Sequence, residues 1–336
     1  MDESDWVSAH AFYHGDLDLL VTEGIAPLAA DLDSAGALRR WFFLRYWEGG
    51  PHARLRLLPE PGHRARVERA VLEGLAEYFR ALPSREPMRR DRYLHMASYY
   101  ARRERMETFE TDLRPDNSVA LLPYRREYDR YGGASDAVER HFAESSRIAV
   151  GLLAEGTAPE QRTTAAFAAV LLAWLVAEPD LGSLAERVGT AESAVPRSTD
   201  LLGLGGTPPT ARREQRRDQA IGVARGLLPL AAHAGDLPRT GTFVDWTRSA
   251  LALRAGVERT RAGASDPDPF QVLDTCAHLF CNRIGVLLNS EDEIRGAAAE
   301  AVGALAAEQE ADGEDDEDDR EDRGGMAQPA RRVLRE

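Results

Sequence analysis

An α+β fold is predicted for this chain, with a mainly antiparallel, ferredoxin-like split βαβ sheet at the N-terminus and a large helical C-terminal half. Three observations carry the prediction. The first third alternates strand-like and helix-like runs in the order βαββαβ. The pattern turns to long amphipathic helices after Gly133. An apolar content of 43% in 336 residues is enough for a sizeable core. Residues 1–133 are therefore read as the sheet region, 134–306 as a helical region of the same domain, and 307–336 as a disordered acidic tail.

The elements follow from local pattern. Trp6 to His14 is aromatic-rich and reads as a strand. Asp16 to Leu32 places Leu17, Leu20, Ile25 and Leu28 near helical spacing, with Gly24 and Pro27 as interruptions. Arg40–Trp47 and His52–Leu58 read as a hairpin around Glu48-Gly49-Gly50-Pro51, a turn by composition. Gly62 to Arg80 puts Val67, Val71, Leu75, Tyr78 and Phe79 on one helical face, and Arg92 to Tyr100 returns to strand character. Beyond Gly133, helices are expected over Ser135–Glu155, Pro159–Ala177, Asp218–Ala232, Phe243–Ala262 and Pro269–Leu288. Pro179 to Arg217 is rich in Gly, Pro, Ser and Thr and is expected to be a long loop or a set of short helices. Its Gly203-Leu204-Gly205-Gly206 cluster is a weak phosphate-binding signal, because no strand leads into it and no lysine follows.

Composition excludes several chemistries. All 42 basic residues are arginine, so there is no lysine for a Schiff base or for a P-loop. Cys276 and Cys281 fit neither a disulfide framework nor a complete zinc site, so no metal and no cofactor is expected and a reducing cytoplasm is the default compartment. Met1 to Asp5 is acidic and no long uncharged apolar run follows, so neither a signal peptide nor a membrane span is expected. The net charge is -14, and Glu308 to Arg323 concentrates acids in a self-repelling run that is expected to be disordered. That balance argues against a broad nucleic-acid surface, while leaving room for a local basic pocket.

Three segments hold candidate chemistry. In His52-Ala53-Arg54-Leu55-Arg56-Leu57 the strand period puts His52, Arg54 and Arg56 on one face, so that two guanidinium groups stand side by side and could grip a carboxylate. Alternation alone favours a plain solvated face for them. Glu127 and Arg130, three apart ahead of Gly132-Gly133, could form a pocket or a surface ion pair, and periodicity does not choose. His278 shares a helix face with Asn282 inside an apolar helix, where a histidine is more often a core side chain than a catalyst. A metal reading of Cys276, His278 and Cys281 is poorer, since positions two apart do not share a helix face.

Taken in order, Trp6…His10-Ala11-Phe12-Tyr13, Phe43-Leu44-Arg45-Tyr46…Pro51-His52-Ala53-Arg54-Leu55-Arg56, Tyr124…Glu127…Arg130-Tyr131-Gly132-Gly133 and His278…Cys281-Asn282-Arg283-Ile284-Gly285 resemble the C-terminal domain of lantibiotic dehydratases, which also occurs as stand-alone thiopeptide-type bacteriocin biosynthesis proteins. The likeness runs from Trp6 to about Val302 and leaves the acidic tail outside. It implies a lyase that eliminates glutamate from glutamylated Ser or Thr of a ribosomally made peptide, leaving dehydroalanine or dehydrobutyrine. Arg54, Arg56 and Arg130 would then bind glutamate and stabilise developing charge, His278 would transfer a proton, and Glu127 would orient an arginine. Arg54, Arg56, Arg130 and His278 are expected to converge. The implied partners are the precursor peptide and a separate protein that glutamylates it from glutamyl-tRNA, without direct nucleic-acid binding by this chain; a homodimer stays open. A relative with the same fold joins two dehydroalanines in a formal [4+2] cycloaddition with leader loss, as a thiopeptide pyridine synthase. A third alternative is a non-catalytic peptide-binding subunit.

Overall fold

The computed structural model describes residues 5–124, 129–192, 210–233, 236, 240–263 and 266–324. Strand β1 (Val7–Phe12) leads into a short helix α1 (Leu17–Leu19), a π-helical turn over Leu20–Ile25, and α2 (Ala26–Ser34). Pro27 has no N–H to return to Glu23, which matches a widened helical register just before it. The hairpin follows as β2 (Leu38–Tyr46) and β3 (His52–Pro59), then α3 (Arg64–Ala81), α4 (Arg90–Arg103) and β4 (Ser118–Leu121). The turn between β2 and β3 needs Gly49 and Gly50, whose φ values of 78° and 111° suit residues without a Cβ.

The four strands form one antiparallel sheet in the order β2-β3-β1-β4, the arrangement of two interleaved βαβ units. The inner face presents Val7, Ala9 and Ala11 from β1 and Ala53, Leu55 and Leu57 from β3, all essentially without solvent contact. Val67, Val71, Leu75 and Phe79 of α3 and Leu20, Val21 and Ile25 of the π turn pack on it. The opposite face carries His10, His52, Arg54 and Arg56.

One expected strand is a helix. Residues 92–100 lie within α4, and the fourth strand is Ser118–Leu121. The tyrosines at 93, 99 and 100 give the segment a strand-like composition, but Tyr93, Ala97 and Ala101 recur every fourth residue and form a buried helical stripe. That stripe joins Trp47 in a small satellite core, and the Tyr93 hydroxyl accepts the Gly49 N–H at 2.8 Å, tying α4 to the hairpin turn.

The helical half consists of α5 (Ser135–Ala154), α6 (Pro159–Ala177), α7 (Leu181–Glu192), α8 (Thr210–His233), α9 (Thr242–Thr260), α10 (Pro269–Arg283) and α11 (Leu288–Gly324). Helix α6 is buried on every side from Ala165 to Val176 and forms the centre of this half. Among the described residues no single helix is long and apolar enough to cross a membrane. Within the segment expected to be a long loop or a set of short helices, Leu181–Glu192 is a helix, while Gly203 to Gly206 lies outside the described residues. The single helix expected over Pro269–Leu288 is two, because the chain reverses at Gly285 with φ 77°. The acidic segment expected to be disordered from 307 is helical as far as Gly324: the alanine-rich turns of α11 continue into it, and Glu and Ala are both good helix formers. Residues 325–336 lie outside the described residues.

Sheet and helices share one apolar core, and a polar seam joins them. Strand β2 is a sheet edge, so its outward backbone groups need partners. The Phe43 N–H donates to Ser146 Oγ at 3.2 Å and its carbonyl accepts from Arg283 Nε at 2.9 Å. The Arg45 N–H donates to Asn282 Oδ1 at 2.9 Å, and the Arg45 carbonyl accepts from Asn282 Nδ2 at 3.0 Å. The Asn282 amide thus replaces a neighbouring strand at one residue. Asn282→Ala leaves both Arg45 groups unanswered, and urea unfolding should read a loss of about 1–3 kcal/mol; an unchanged midpoint would show that the Asn282–Arg45 pairing does not stabilise the fold.

Candidate functional site

Strand pairing builds the first part of the site. Arg54 lies directly opposite His10, and Arg56 opposite Ser8, across the β1–β3 ladder. Both arginines are buried, Arg54 at 7% and Arg56 at 4% exposure, which overturns the solvated-face reading that alternation favoured. The Arg54 guanidinium lies 3.3 Å from the Tyr46 ring centroid and 3.8 Å from Glu48 Oε2, and the Arg56 guanidinium faces the Tyr124 ring at 5.5 Å. The His10 and His52 rings stack 5.0 Å apart beside them.

These imidazoles are neutral. Burial and the charges of Arg56, His52, Arg54 and Arg114 lower the His10 pKa to about 2. Burial lowers that of His52 to about 3, helped by Arg54 and Arg56 and opposed by its hydrogen bond to the Gly50 carbonyl. Because that carbonyl can only accept, at 2.8 Å, His52 Nδ1 carries the proton. Its Nε2 is left as a buried acceptor with no hydrogen-bond partner among the described residues. Two guanidinium groups beside neutral imidazoles suit a group that carries a carboxylate.

His278 forms the second part. It lines an open cleft of about 350 Å³ between α10 and the start of α11, with Asp274, Thr275, Leu288, Glu291, Asp292 and Arg295. Its side chain is 39% exposed, so it is not the core histidine that its apolar helix suggests. Nδ1 lies 2.8 Å from Oε2 of the buried Glu291. Burial pushes the Glu291 pKa up, but the hydrogen bond and charge of His278 and the neighbouring Arg295 outweigh it, and the net shift is downward. An ionised carboxylate only accepts, so Nδ1 donates and the neutral ring has its lone pair on Nε2. Arg295 Nε holds the other Glu291 oxygen at 2.8 Å and also pairs with Asp274, which takes the Trp174 indole N–H at 2.7 Å. The imidazole is thereby aimed by a chain of fixed partners.

The structure brings Arg54 and Arg56 together and places His278 on the other half of the molecule, with no direct contact to either arginine. Glu104, at the end of α4, lies within electrostatic reach of both Arg54 and His278. Glu127 and the side chain of Arg130 lie outside what the structure describes; the Arg130 backbone belongs to a 3₁₀ segment, Asp129–Ala134. Sequence reasoning passed over His10, although the alternation that faced Arg54 outward also faces Ser8, His10 and Phe12 together on β1. It missed Glu291 as well, since thirteen positions and a helix break separate it from His278 and no periodicity links them.

Among known proteins, the family described as lantibiotic biosynthesis dehydratase C-terminal matches residues 6–302. No curated protein sequence matches. Of solved structures, the pyridine synthase TbtD from thiomuracin biosynthesis has a TM-score of 0.67 at 20% identity over 90% of this chain and 99% of that one. The tRNA-dependent lantibiotic dehydratase MibB from Microbispora sp. 107891 has a TM-score of 0.55 at 20% identity, over 92% of this chain and 29% of the larger protein. TsrL has a TM-score of 0.51 at 17% identity, over 88% of this chain and 93% of that one. At these identities the likenesses establish the fold.

The buried histidines give the protein a defined acid response. His10 and His52 titrate near 6.5 when unfolded but at about 2 and about 3 when folded, so the unfolded chain takes up protons first as pH falls. Stability is full above pH 6.5 and is lost below it, with each histidine contributing a slope of about 1.4 kcal/mol per pH unit. Urea unfolding at pH 7, 6 and 5 should show this decline and a shallower one for His52→Asn; equal slopes in the two proteins would mean that His52 is not held neutral.

Proposed function

The chain belongs to the lantibiotic biosynthesis dehydratase C-terminal family, and on that premise we propose that it eliminates glutamate from O-glutamylated Ser and Thr of a ribosomally made peptide to give dehydroalanine or dehydrobutyrine. It acts on peptide that a glutamyl-tRNA-dependent partner has glutamylated. The observation that carries this reading is the buried Arg54–Arg56 pair, a carboxylate receptor walled by neutral histidines. In the reaction His278 Nε2 takes the Cα proton, the electron pair forms the Cα–Cβ double bond, and the Cβ–O bond breaks with glutamate leaving as its carboxylate. The arginines hold the glutamyl group and the charge that develops on it, Arg130 joins them, and Glu127 orients an arginine. Glu291 engages Nδ1, which leaves Nε2 as the ring nitrogen able to accept a proton.

A second reading, pyridine formation from two dehydroalanines, is favoured by one observation: the chain covers 99% of a pyridine synthase but 29% of the tRNA-dependent dehydratase. Mass spectrometry separates the two. The protein should convert glutamylated precursor to dehydrated peptide and free glutamate, and should leave unmodified precursor alone. Consumption only of a peptide that already contains dehydroalanines, with leader loss, would replace elimination by cycloaddition, and no change in either peptide would leave a binding subunit.

Variants extend the test. His278→Ala should accumulate peptide heavier by whole glutamyl units, with turnover down about 10²–10⁴-fold. Arg54→Ala should raise KM for the glutamylated peptide as well as lower kcat. Glu291→Gln, which removes the anion behind His278, should lower kcat and move the acidic limb of the pH–rate profile; a profile identical to that of the wild type would remove Glu291 from the mechanism.

A further inference from the structure

An aminoacyl-tRNA carries its amino acid through the α-carboxyl, so transfer to a serine or threonine hydroxyl makes an α-ester. The glutamyl group of the proposed substrate then keeps two charges, a γ-carboxylate and an α-ammonium. Arginines answer the first and repel the second. A site that selects glutamyl esters needs an anion beside its guanidinium groups.

The wall next to Arg54 supplies it. Tyr46, whose ring lies under Arg54, stacks on Trp47 at 5.7 Å, and Trp47 stacks on Tyr100 of α4 at 5.8 Å. The Trp47 indole N–H donates to Glu104 Oε1 at 2.8 Å. Glu104 as a residue is exposed, but this bond fixes one carboxylate oxygen against the indole and leaves Oε2 without a hydrogen bond among the described residues. Nearby Glu48 is already engaged, accepting the Glu110 N–H at 3.0 Å and lying 3.8 Å from Arg54. Two further contacts carry the end of α4 to the histidine cleft: Tyr99 bonds Asn289, and Arg103 pairs with Asp292, which lines the cleft with His278. Glu104 follows Arg103 directly. Loss of water around its carboxyl raises its pKa, partly offset by Trp47, His278 and Arg54, in keeping with a carboxylate placed between the two halves of the site.

We propose that Glu104 is the receptor for the α-ammonium of the glutamyl group, binding it through Oε2 while the arginines of β3 hold the carboxylate. The inference rests on the elimination reading and names what makes that site specific for an amino-acid ester over a simple dicarboxylic one. The arrangement orients the group from both ends, with the ester between the arginines and His278.

The test compares two synthetic precursor peptides, one carrying an O-glutamyl serine and the other an O-glutaryl serine, which differ by the ammonium alone. Wild-type protein should prefer the glutamyl ester in kcat/KM by about 10- to 100-fold, the worth of a charge-assisted hydrogen bond. Glu104→Gln should bring that ratio close to one, mainly through KM, and Glu104→Asp should restore part of it. Circular dichroism and the unfolding midpoint of each variant report whether it is folded. Because Trp47 can lose its partner in the variant, binding of L-glutamate and glutarate to wild-type protein by calorimetry gives an independent reading, with glutamate expected to bind more tightly. Equal turnover of both esters by the wild type, or an unchanged ratio in Glu104→Gln, would overturn the ammonium assignment and leave elimination intact. Failure of the wild type to process either ester would overturn the elimination reading and this inference with it.

Discussion

The edge of strand β2 is the constraint on which the rest of the structure depends. An open edge offers unpaired N–H and C=O groups, and here two residues of that edge are answered by side chains of helices instead of by another strand. The Asn282 amide presents an N–H and a C=O in the geometry of a peptide group, and both meet the Arg45 backbone. Phe43 needs two partners, the Ser146 hydroxyl and the Arg283 guanidinium, and these also bond each other at 3.0 Å. Three elements are thus locked at one point: β2, α5 and α10. The consequence for function is positional. His278 stands four residues before Asn282 on the same helix, one turn away on the same face. Arg54 pairs with Leu44, which lies between Phe43 and Arg45 on β2. The seam therefore sets how far His278 stands from the arginine strand.

The exclusive use of arginine fits this architecture. Arg283 is fully buried, and its fork reaches the Phe43 carbonyl, Ser146 and Ser145 at once, with the Phe142 ring 5.0 Å away. Arg45 and Arg162 share the Asp18 carboxylate at the head of α1, and Arg45 also donates to the Arg283 carbonyl at 2.8 Å. An ammonium group is a point charge and cannot bridge so many fixed acceptors in a plane. The planar fork that suits arginine to a carboxylate in general makes it a structural connector at 45 and 283.

Periodicity revealed the sheet because its inner face is packed by one layer of helices, so strand alternation and the α3 stripe both survive in the sequence as apolar spacing. It misplaced the fourth strand because α4 buries only a narrow stripe, at Tyr93, Ala97 and Ala101, in a small satellite core around Trp47 of the hairpin. Local composition dominated where packing was thin. At the site, the pairing of Arg54 with Arg56 was legible from the period of β3, but the burial of that face was not, since it depends on groups brought from Tyr46, Tyr124 and the segment around Arg114. In the same way, the sequence marked His278-Asn282-Arg283 as a unit without separating its parts. The structure gives His278 to the cleft and Asn282 and Arg283 to the seam.

The molecule carries a net charge of -14, so at long range it repels an anionic group. Salt screens that repulsion beyond about 8 Å at physiological ionic strength, and what remains is local. Between β1 and β3 two guanidinium groups, one of them 3.8 Å from Glu48, face imidazoles that burial has stripped of charge. If His10 and His52 were protonated, four cations would share one strand pair and the fold would pay for it. Keeping the histidines neutral lets the arginines stay close together. The low histidine pKa values are thus the condition on which two adjacent arginines can be buried on one strand, and a bound carboxylate would relieve the repulsion that remains between them. Recognition in such a site is decided at contact distance, by which charges the ligand presents and where, and long-range attraction has little part in it.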